Sequence, residues 1–428
     1  MKPTLALLAA LLSFTCSTLF AQVKTDSLEA LIKTKSGTEK IDAMLSLAEY
    51  YQNADPQKGL LVASEALKMS NKLNYAKGKA LSYANLGEMQ VNLSDFNSAM
   101  ESHKKALEIR RSSGDKHGIV LSLTSIGGIL EHLGNYDLAM KNYYEAIQIA
   151  EENSDTKGLS VSYSLVATLH YVLQDYPKAR EYCTKAVRIR EMANDKVGMS
   201  NSYELMGLIN FDFKQFDESL RYHTLSLKVK TELNDKVGIA GSYQNLGMVY
   251  RQLQKYDLAE SYFLKALKMR EALREKRGIA ASLTSLGEIY MVQGKYPVAL
   301  DHFLRAFKIR QEIKDKRALI RTYFHLSTAY AKMGNYKKAY ENQSLFYTYT
   351  DSLNKARTIK KLATMDMQYK SEKKDKEIAL LQKDNIIQRT VRNSLIAGFV
   401  LVTIIALGTF AAYRQKRKSS LLLEEKNR

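Results

Sequence analysis

Gly78, Gly118, Gly158, Gly198, Gly238 and Gly278 stand forty residues apart, and Ala318 takes the next place. The same register carries an aromatic series, Phe96, Tyr136, Tyr176, Phe216, Tyr256, Tyr296 and Tyr336. It also carries two small series. One is Ala99, Ala139, Ala179, Ser219, Ala259, Ala299 and Ala339; the other is Ala106, Ala146, Ala186, Ser226, Ala266 and Ala306, ending at Phe346. A fixed period marks an array of one supersecondary unit, each copy stacked on its neighbours.

Within a unit the apolar spacing is helical. Tyr243, Leu246, Gly247 and Tyr250 share one face, and Tyr256, Ala259, Phe263, Ala266 and Leu267 share another, at offsets of three and four. Polar breaks separate the faces, as at Gly134-Asn135, Gln174-Asp175, Gln254-Lys255 and Gly294-Lys295. Asp115, Asp155, Asp195, Asp235 and Asp315 fall where a helix should start, where a carboxylate caps free backbone N–H groups. Pro177 and Pro297 share a place just after the aromatic residue, with Pro56 within about a residue of it; first-turn prolines forfeit no hydrogen bond. Each unit is therefore expected to be a helical hairpin, about eight of them between Gly37 and Lys355. A lone hairpin cannot bury its apolar face, so the fold is an all-α solenoid with first helices lining the concave side.

The sequence Leu246-Gly247, Tyr250, Ala259, Phe263 and Ala266 resembles the tetratricopeptide repeat (TPR) family, over about three quarters of the chain. The resemblance implies a right-handed superhelix of hairpins. The repeat is longer than the usual TPR, with Asp-Lys-x-Gly between units, and is similar to the longer repeats of kinesin light chain and related scaffolds.

Outside the array the ends carry different signals. Lys2, the apolar run Leu5 to Leu12 and the small residues up to Ala21 suggest a signal peptide at 1–21, leaving a solenoid at 22–355. Cleavage there removes Cys16 and leaves Cys183 as the only cysteine, so no disulfide forms within the mature chain. Residues 356–393 are rich in Lys, Glu and Asp without filling a strict heptad, which favours a charged helical stalk over a stable coiled coil. Residues 394–413 carry no charge and match a bilayer core in length. Arg414, Lys416, Arg417 and Lys418 follow in the tail 414–428, which places that tail in the cytoplasm and the solenoid in the periplasm of a bacterial inner membrane. The net charge of +19 would suggest nucleic acid in the cytosol, but outside it nucleic acid is not expected. The order of these parts, with Lys376-Glu377-Ile378-Ala379-Leu380-Leu381 ending the stalk, resembles bacterial membrane sensors in which a histidine kinase or transcriptional output domain follows the span. Here 414–428 is too short for one, so the chain is expected to work without its own output domain or as part of a longer protein.

No catalytic constellation is found, and neither enzymatic activity, a cofactor nor a metal site is expected. His103 and His223 occupy the core position held elsewhere by Tyr143, Cys183, Phe263 and Phe303. His117, His132, His170, His302 and His325 are scattered without ligand spacing. A basic ladder recurs at Arg188, Lys228, Lys268 and Lys308 and again at Arg190, Lys230, Arg270 and Arg310. Cations suit helix C-termini, which is the plainer role; the sharper one is a stripe for an acidic partner, glycan or lipid headgroup.

Concave-face candidates on the first helices are Asn85, Ser125, Thr168, Tyr171 and Glu204. Phe211, Gln244, Asn245, Arg251 and Glu288 complete the set. Asn85 and Asn245 precede Leu-Gly, where the resemblance implies an amide that hydrogen-bonds a ligand backbone. The expected function is binding of a protein or peptide along this groove, as a sensory or scaffold module, with homodimerisation through the stalk and span.

Overall fold

A computed structural model describes residues 25–426, so the expected signal peptide lies outside the described residues. Every described element is a helix. α1 spans 25–34. The array then runs through α2 (Gly37–Ala54), α3 (Pro56–Lys72), α4 (Ala76–Asn92), α5 (Phe96–Ser113), α6 (Lys116–His132), α7 (Tyr136–Glu152), α8 (Thr156–Val172) and α9 (Tyr176–Met192). It continues through α10 (Lys196–Asp212), α11 (Phe216–Glu232), α12 (Lys236–Gln252), α13 (Tyr256–Ala272), α14 (Lys276–Val292), α15 (Tyr296–Glu312), α16 (Lys316–Lys332) and α17 (Tyr336–Lys426). From α2 onward, even-numbered helices open a hairpin and odd-numbered ones close it. The chain divides into two compact units, Met1–Asp351 and Ser352–Arg428.

The helix starts follow the aspartates. Asp115, Asp155, Asp195 and Asp235 accept from the amides of Gly118, Gly158, Gly198 and Gly238 at 2.9 Å, and Asp315 accepts from Ala318 at 3.1 Å. Glycine suits this place because the capping carboxylate and a neighbouring side chain crowd its β-carbon space: a Cβ on Gly198 would lie 2.1 Å from Asp195 Oδ2 and 2.6 Å from Arg190 Nε, whereas Ala318 is accommodated with the longer cap. The helix ends obey a finer rule. A residue with positive φ recurs every twenty positions, from Asn74, Ser94, Gly114 and Gly134 through Gln174, Lys214 and Arg274 to Lys314 and Gly334. The amide just after each reaches back to the carbonyl five residues earlier, as in Tyr75 to Ser70 and Asn335 to Tyr330, both 2.9 Å, which closes the helix.

The two alanine series are fully buried between the helices of a hairpin, and where α11 substitutes serine the hydroxyls are satisfied internally. Ser219 donates to the Gly207 carbonyl at 2.8 Å and Ser226 to that of Ser200 at 2.9 Å. The Leu-Gly glycine admits the aromatic core residue sixteen positions on; a Cβ on Gly247 would stand 2.5 Å from the Phe263 ring. Such pairs close each hairpin and leave one face of the first helices for side chains that reach the neighbouring first helices.

Half of the expected basic stripe is not a surface. Arg190, Lys230, Arg270 and Arg310 are 8, 4, 9 and 7% exposed, as is Arg110 at 4%, so none can offer charge to a partner. They join successive hairpins instead. Arg190 donates Nη1 to the Gly198 carbonyl at 3.1 Å and to Ser202 Oγ; Arg270 makes the same pair of bonds to Gly278 and Ser282, at 3.0 and 2.8 Å. Lys230 lacks the fork and reaches Glu204 Oε2 at 2.5 Å, leaving the buried Ser242 hydroxyl without a partner. Arg188, Lys228, Lys268 and Lys308 are exposed.

The second unit, Ser352–Arg428, is helical through Lys426. The expected boundaries at 355 and 393 fall inside α17. Lys383–Ser419 is the one helical stretch among the described residues long and apolar enough to cross a membrane, and it contains the expected span 394–413.

Candidate functional site

All ten candidate positions lie on first helices, at offsets of zero, one, four and seven within the helix, the spacing of a single helical face. All ten are half-buried, and the structure links most of them to the neighbouring first helix, about forty residues away in sequence. Asn85 Nδ2 donates to the Leu45 carbonyl at 3.1 Å, from α4 to α2. Ser125 Oγ donates to Glu88 Oε1 at 2.8 Å, from α6 to α4. Tyr171 donates to Asp212 Oδ2 at 2.5 Å, from α8 to α10. Asn245 Nδ2 donates to Glu204 Oε1 at 3.1 Å, from α12 to α10, and Gln244 Nε2 donates to Ser285 Oγ at 2.7 Å, from α12 to α14.

Thr168 and Phe211 do not join this ladder. Thr168 bonds the Ser164 carbonyl of its own helix at 2.9 Å, and the Phe211 ring meets Phe216 edge-on at 5.8 Å. The side-chain bonds thus join α2, α4 and α6 in one run and α8, α10, α12 and α14 in another. Burial, and then the hydrogen bond to Asp212, push the Tyr171 phenol upward, so Tyr171 remains a donor at neutral pH.

Along this face the ladder opens into a cleft of about 400 Å³ between α12, α14 and α16. Arg251 and Glu288 line it and form an ion pair. His325, which sequence reasoning set aside among scattered histidines, lies opposite, with Nε2 at 3.4 Å from Glu288 Oε1. Its ring stacks on Phe303 at 5.0 Å and is flanked edge-on by Phe324 at 5.8 Å. Burial first, then the charges of Arg321, Arg310 and Arg251, hold its pKa down to about 4, so the ring is neutral at pH 7. Burial and Arg321 likewise lower the Arg251 guanidinium. Met291, Val292 and Phe324 supply an apolar wall. The signal for His325 was the register itself: it stands forty residues beyond Ser285 and eighty beyond Asn245, in the column of Asn85 and Ser125.

No group of three or more His, Cys, Asp or Glu side chains among the described residues is arranged to hold a metal ion. Cys183 is buried, and burial pushes its thiol up to about 12, which makes it inert packing rather than a nucleophile.

A tetratricopeptide repeat family profile matches residues 118–192, 198–272 and 278–342, and a second matches 80–113. The chain belongs to the tetratricopeptide repeat family. No curated protein sequence matches it. Among solved structures it is similar to the apo form of the quorum sensor NprR from B. thuringiensis, at 14% identity and a TM-score of 0.57 over 76% of this chain and 92% of that one. It is also similar to a Rap protein complexed with Competence and Sporulation Factor, at 13% identity and a TM-score of 0.53 over 78% and 98%. A signal transduction ATPase with a tetratricopeptide repeat sensor from Pyrococcus horikoshii matches at 16% identity and a TM-score of 0.57, over 79% of this chain and 55% of that one. At these identities the TPR fold is what is shared.

Proposed function

We propose that this TPR protein is a membrane-anchored binding module that lays a peptide or protein segment along the face of its first helices, in a sensory or scaffold role. The observation that carries the reading is the ladder of half-buried polar and aromatic side chains joined from one hairpin to the next, which presents several repeats as one surface. The quorum sensor and the repeat-containing sensor among its structural relatives support a sensory role. Arg188, Lys228, Lys268 and Lys308 remain exposed on second helices and belong to solubility or to a separate acidic partner.

Anchoring rests on Lys383–Ser419, and the orientation on Arg414, Lys416, Arg417 and Lys418: solenoid in the periplasm, tail in the cytoplasm. Pairing of two copies through the same helix is part of the reading. The test places a photo-crosslinking amino acid in the full chain at Ser125, Thr168 or Phe211, and for comparison at Lys185 or Lys268. One partner captured at the first three positions and not at the other two supports the groove; capture only from the second helices removes it. Phosphatase fusions after Lys355 and after Arg428 test orientation, and activity only at the second reverses it.

A further inference from the structure

We propose that the cleft between α12, α14 and α16 accepts an acidic side chain of the bound segment between Arg251, Arg321 and His325, and that Glu288 is the internal carboxylate this group displaces. The inference rests on the groove reading and names the chemistry of one subsite within it. Charge is unbalanced there. Four elements face His325 with charged groups: α12 with Arg251, α14 with Glu288, α15 with Arg310 and α16 with Arg321. Arg310 is already committed to Thr322 Oγ1 and the Ala318 carbonyl. Arg251 shares Glu288, and Arg321 is exposed with no carboxylate paired to it among the described residues. Glu288 is therefore the one carboxylate facing His325, and with Arg310 offset by Asp315 it is shared between Arg251 and the unpaired charge of Arg321.

His325 marks where a second carboxylate would enter. Its side chain is 14% exposed, its ring is fixed by Phe303 and Phe324, and its Nε2 is buried without a hydrogen-bond partner. A buried polar nitrogen left unbonded is costly, and a ligand carboxylate satisfies it as a charge-assisted acceptor. The wall of Met291, Val292 and Phe324 takes an apolar neighbour of that acid. Burial first, and then the charges of Arg321, Arg310 and Arg251, keep the His325 imidazole neutral; a ligand carboxylate bonded directly to Nε2 favours the protonated ring. Binding of the acid is then coupled to proton uptake and strengthens on acidification.

The experiment uses the full-length chain in detergent micelles and a fluorescein-labelled peptide, Gly-Ser-Leu-Glu-Leu-Ser-Gly amide, with its Gln counterpart, read by fluorescence anisotropy. The Glu peptide should bind about tenfold tighter than the Gln peptide at pH 7. Arg321→Gln, an exposed change that leaves the fold intact, should reduce that preference to about twofold or less, and Lys268→Gln should leave it unaltered. Glu288→Gln should tighten the Glu peptide. His325→Gln should abolish the further tightening between pH 7 and pH 5.5 while the wild type gains roughly threefold. Equal binding of the two peptides, or a preference that survives Arg321→Gln, overturns the subsite. If the two bind equally and Phe211→Ala weakens both, the groove stands and only the subsite falls. Absence of binding by either peptide at millimolar concentration also overturns it.

Discussion

Ala167 packs against Cys183 inside the α8–α9 hairpin, at the two positions where α12–α13 sets Gly247 under the ring of Phe263. The volumes compensate within one chain. Glycine opposes a ring at Gly127 with Tyr143 and Gly287 with Phe303; alanine opposes cysteine; and Ser327 opposes Gln343, donating its hydroxyl to Oε1 at 2.8 Å.

The compensation makes a double-mutant cycle decisive. Cys183→Phe alone drives a ring onto the Ala167 methyl and should cost roughly 1–3 kcal/mol in a tightly packed interior. Ala167→Gly with Cys183→Phe should recover most of it, because it reproduces the Gly247–Phe263 pair. Thermal midpoints of the four proteins measure the coupling, and additive losses would show that the two sites are independent.

Buried arginines separate the two halves of the basic ladder. Arg190→Ala strips the Gly198 carbonyl and Ser202 of their shared, buried donor and should lower stability by roughly 2–4 kcal/mol. Arg188→Ala, two residues away and exposed, should stay within about 0.5 kcal/mol of wild type. Urea unfolding of the two variants reads the contrast directly.

The buried histidines supply a pH dependence. Desolvation leads in holding His103 and His223 down at about 4, below the unfolded value near 6.5, with Arg110 adding to it at His103, and Glu204 opposing it more than Lys230 adds to it at His223. In that window the unfolded chain binds more protons than the folded one, so stability is full above about pH 6.5 and falls as pH drops toward 4, by roughly 3 kcal/mol per histidine at the limit. His223→Phe places beneath Gly207 the ring that Phe263 places beneath Gly247. It should hold its midpoint at pH 7 and lose less than wild type at pH 5.

The forty-residue array, its hairpins and its capping aspartates were legible because each depends on a residue type that recurs: small where helices touch, acidic where a helix begins. The twenty-residue backbone period was hidden because positive φ is met by Gln174, Lys214, Arg274 and Lys314 as well as by Gly134 and Gly294, so no residue type marks it. Arg190 and Arg270 looked like surface charge because spacing does not tell a side chain that snorkels outward from one that folds onto the next helix's first turn. His325 was in register with Asn245, but its meeting with Glu288 and Arg251 depends on three successive hairpins stacking, which a single repeat does not encode.

The left-handed positions give a stabilising prediction. Lys214 and Lys314 hold φ near +60° and +54°, a conformation that disfavours any residue with a β-carbon, and both side chains are exposed. Replacing both by glycine relieves that strain while adding freedom to the unfolded chain, for a net gain of roughly 0.5–1 kcal/mol per site. Raised thermal midpoints are expected, with the helical circular dichroism signal unchanged.

Anchoring gives the last test. Within Lys383–Ser419 the apolar side chains Leu395, Phe399, Leu401, Ile405 and Phe410 are all exposed, a surface that water would not tolerate on an isolated helix and that a bilayer solvates. Leu401→Arg puts a charge near the middle of that stretch, where insertion becomes less favourable by roughly 3 kcal/mol. The wild-type chain should remain in the membrane pellet after alkaline carbonate extraction. Leu401→Arg should move a substantial share to the supernatant, whereas Lys383→Ala, at the end of the stretch, should not. A wild-type chain that carbonate releases completely would remove the anchor from the proposal while leaving the solenoid and its cleft as they stand.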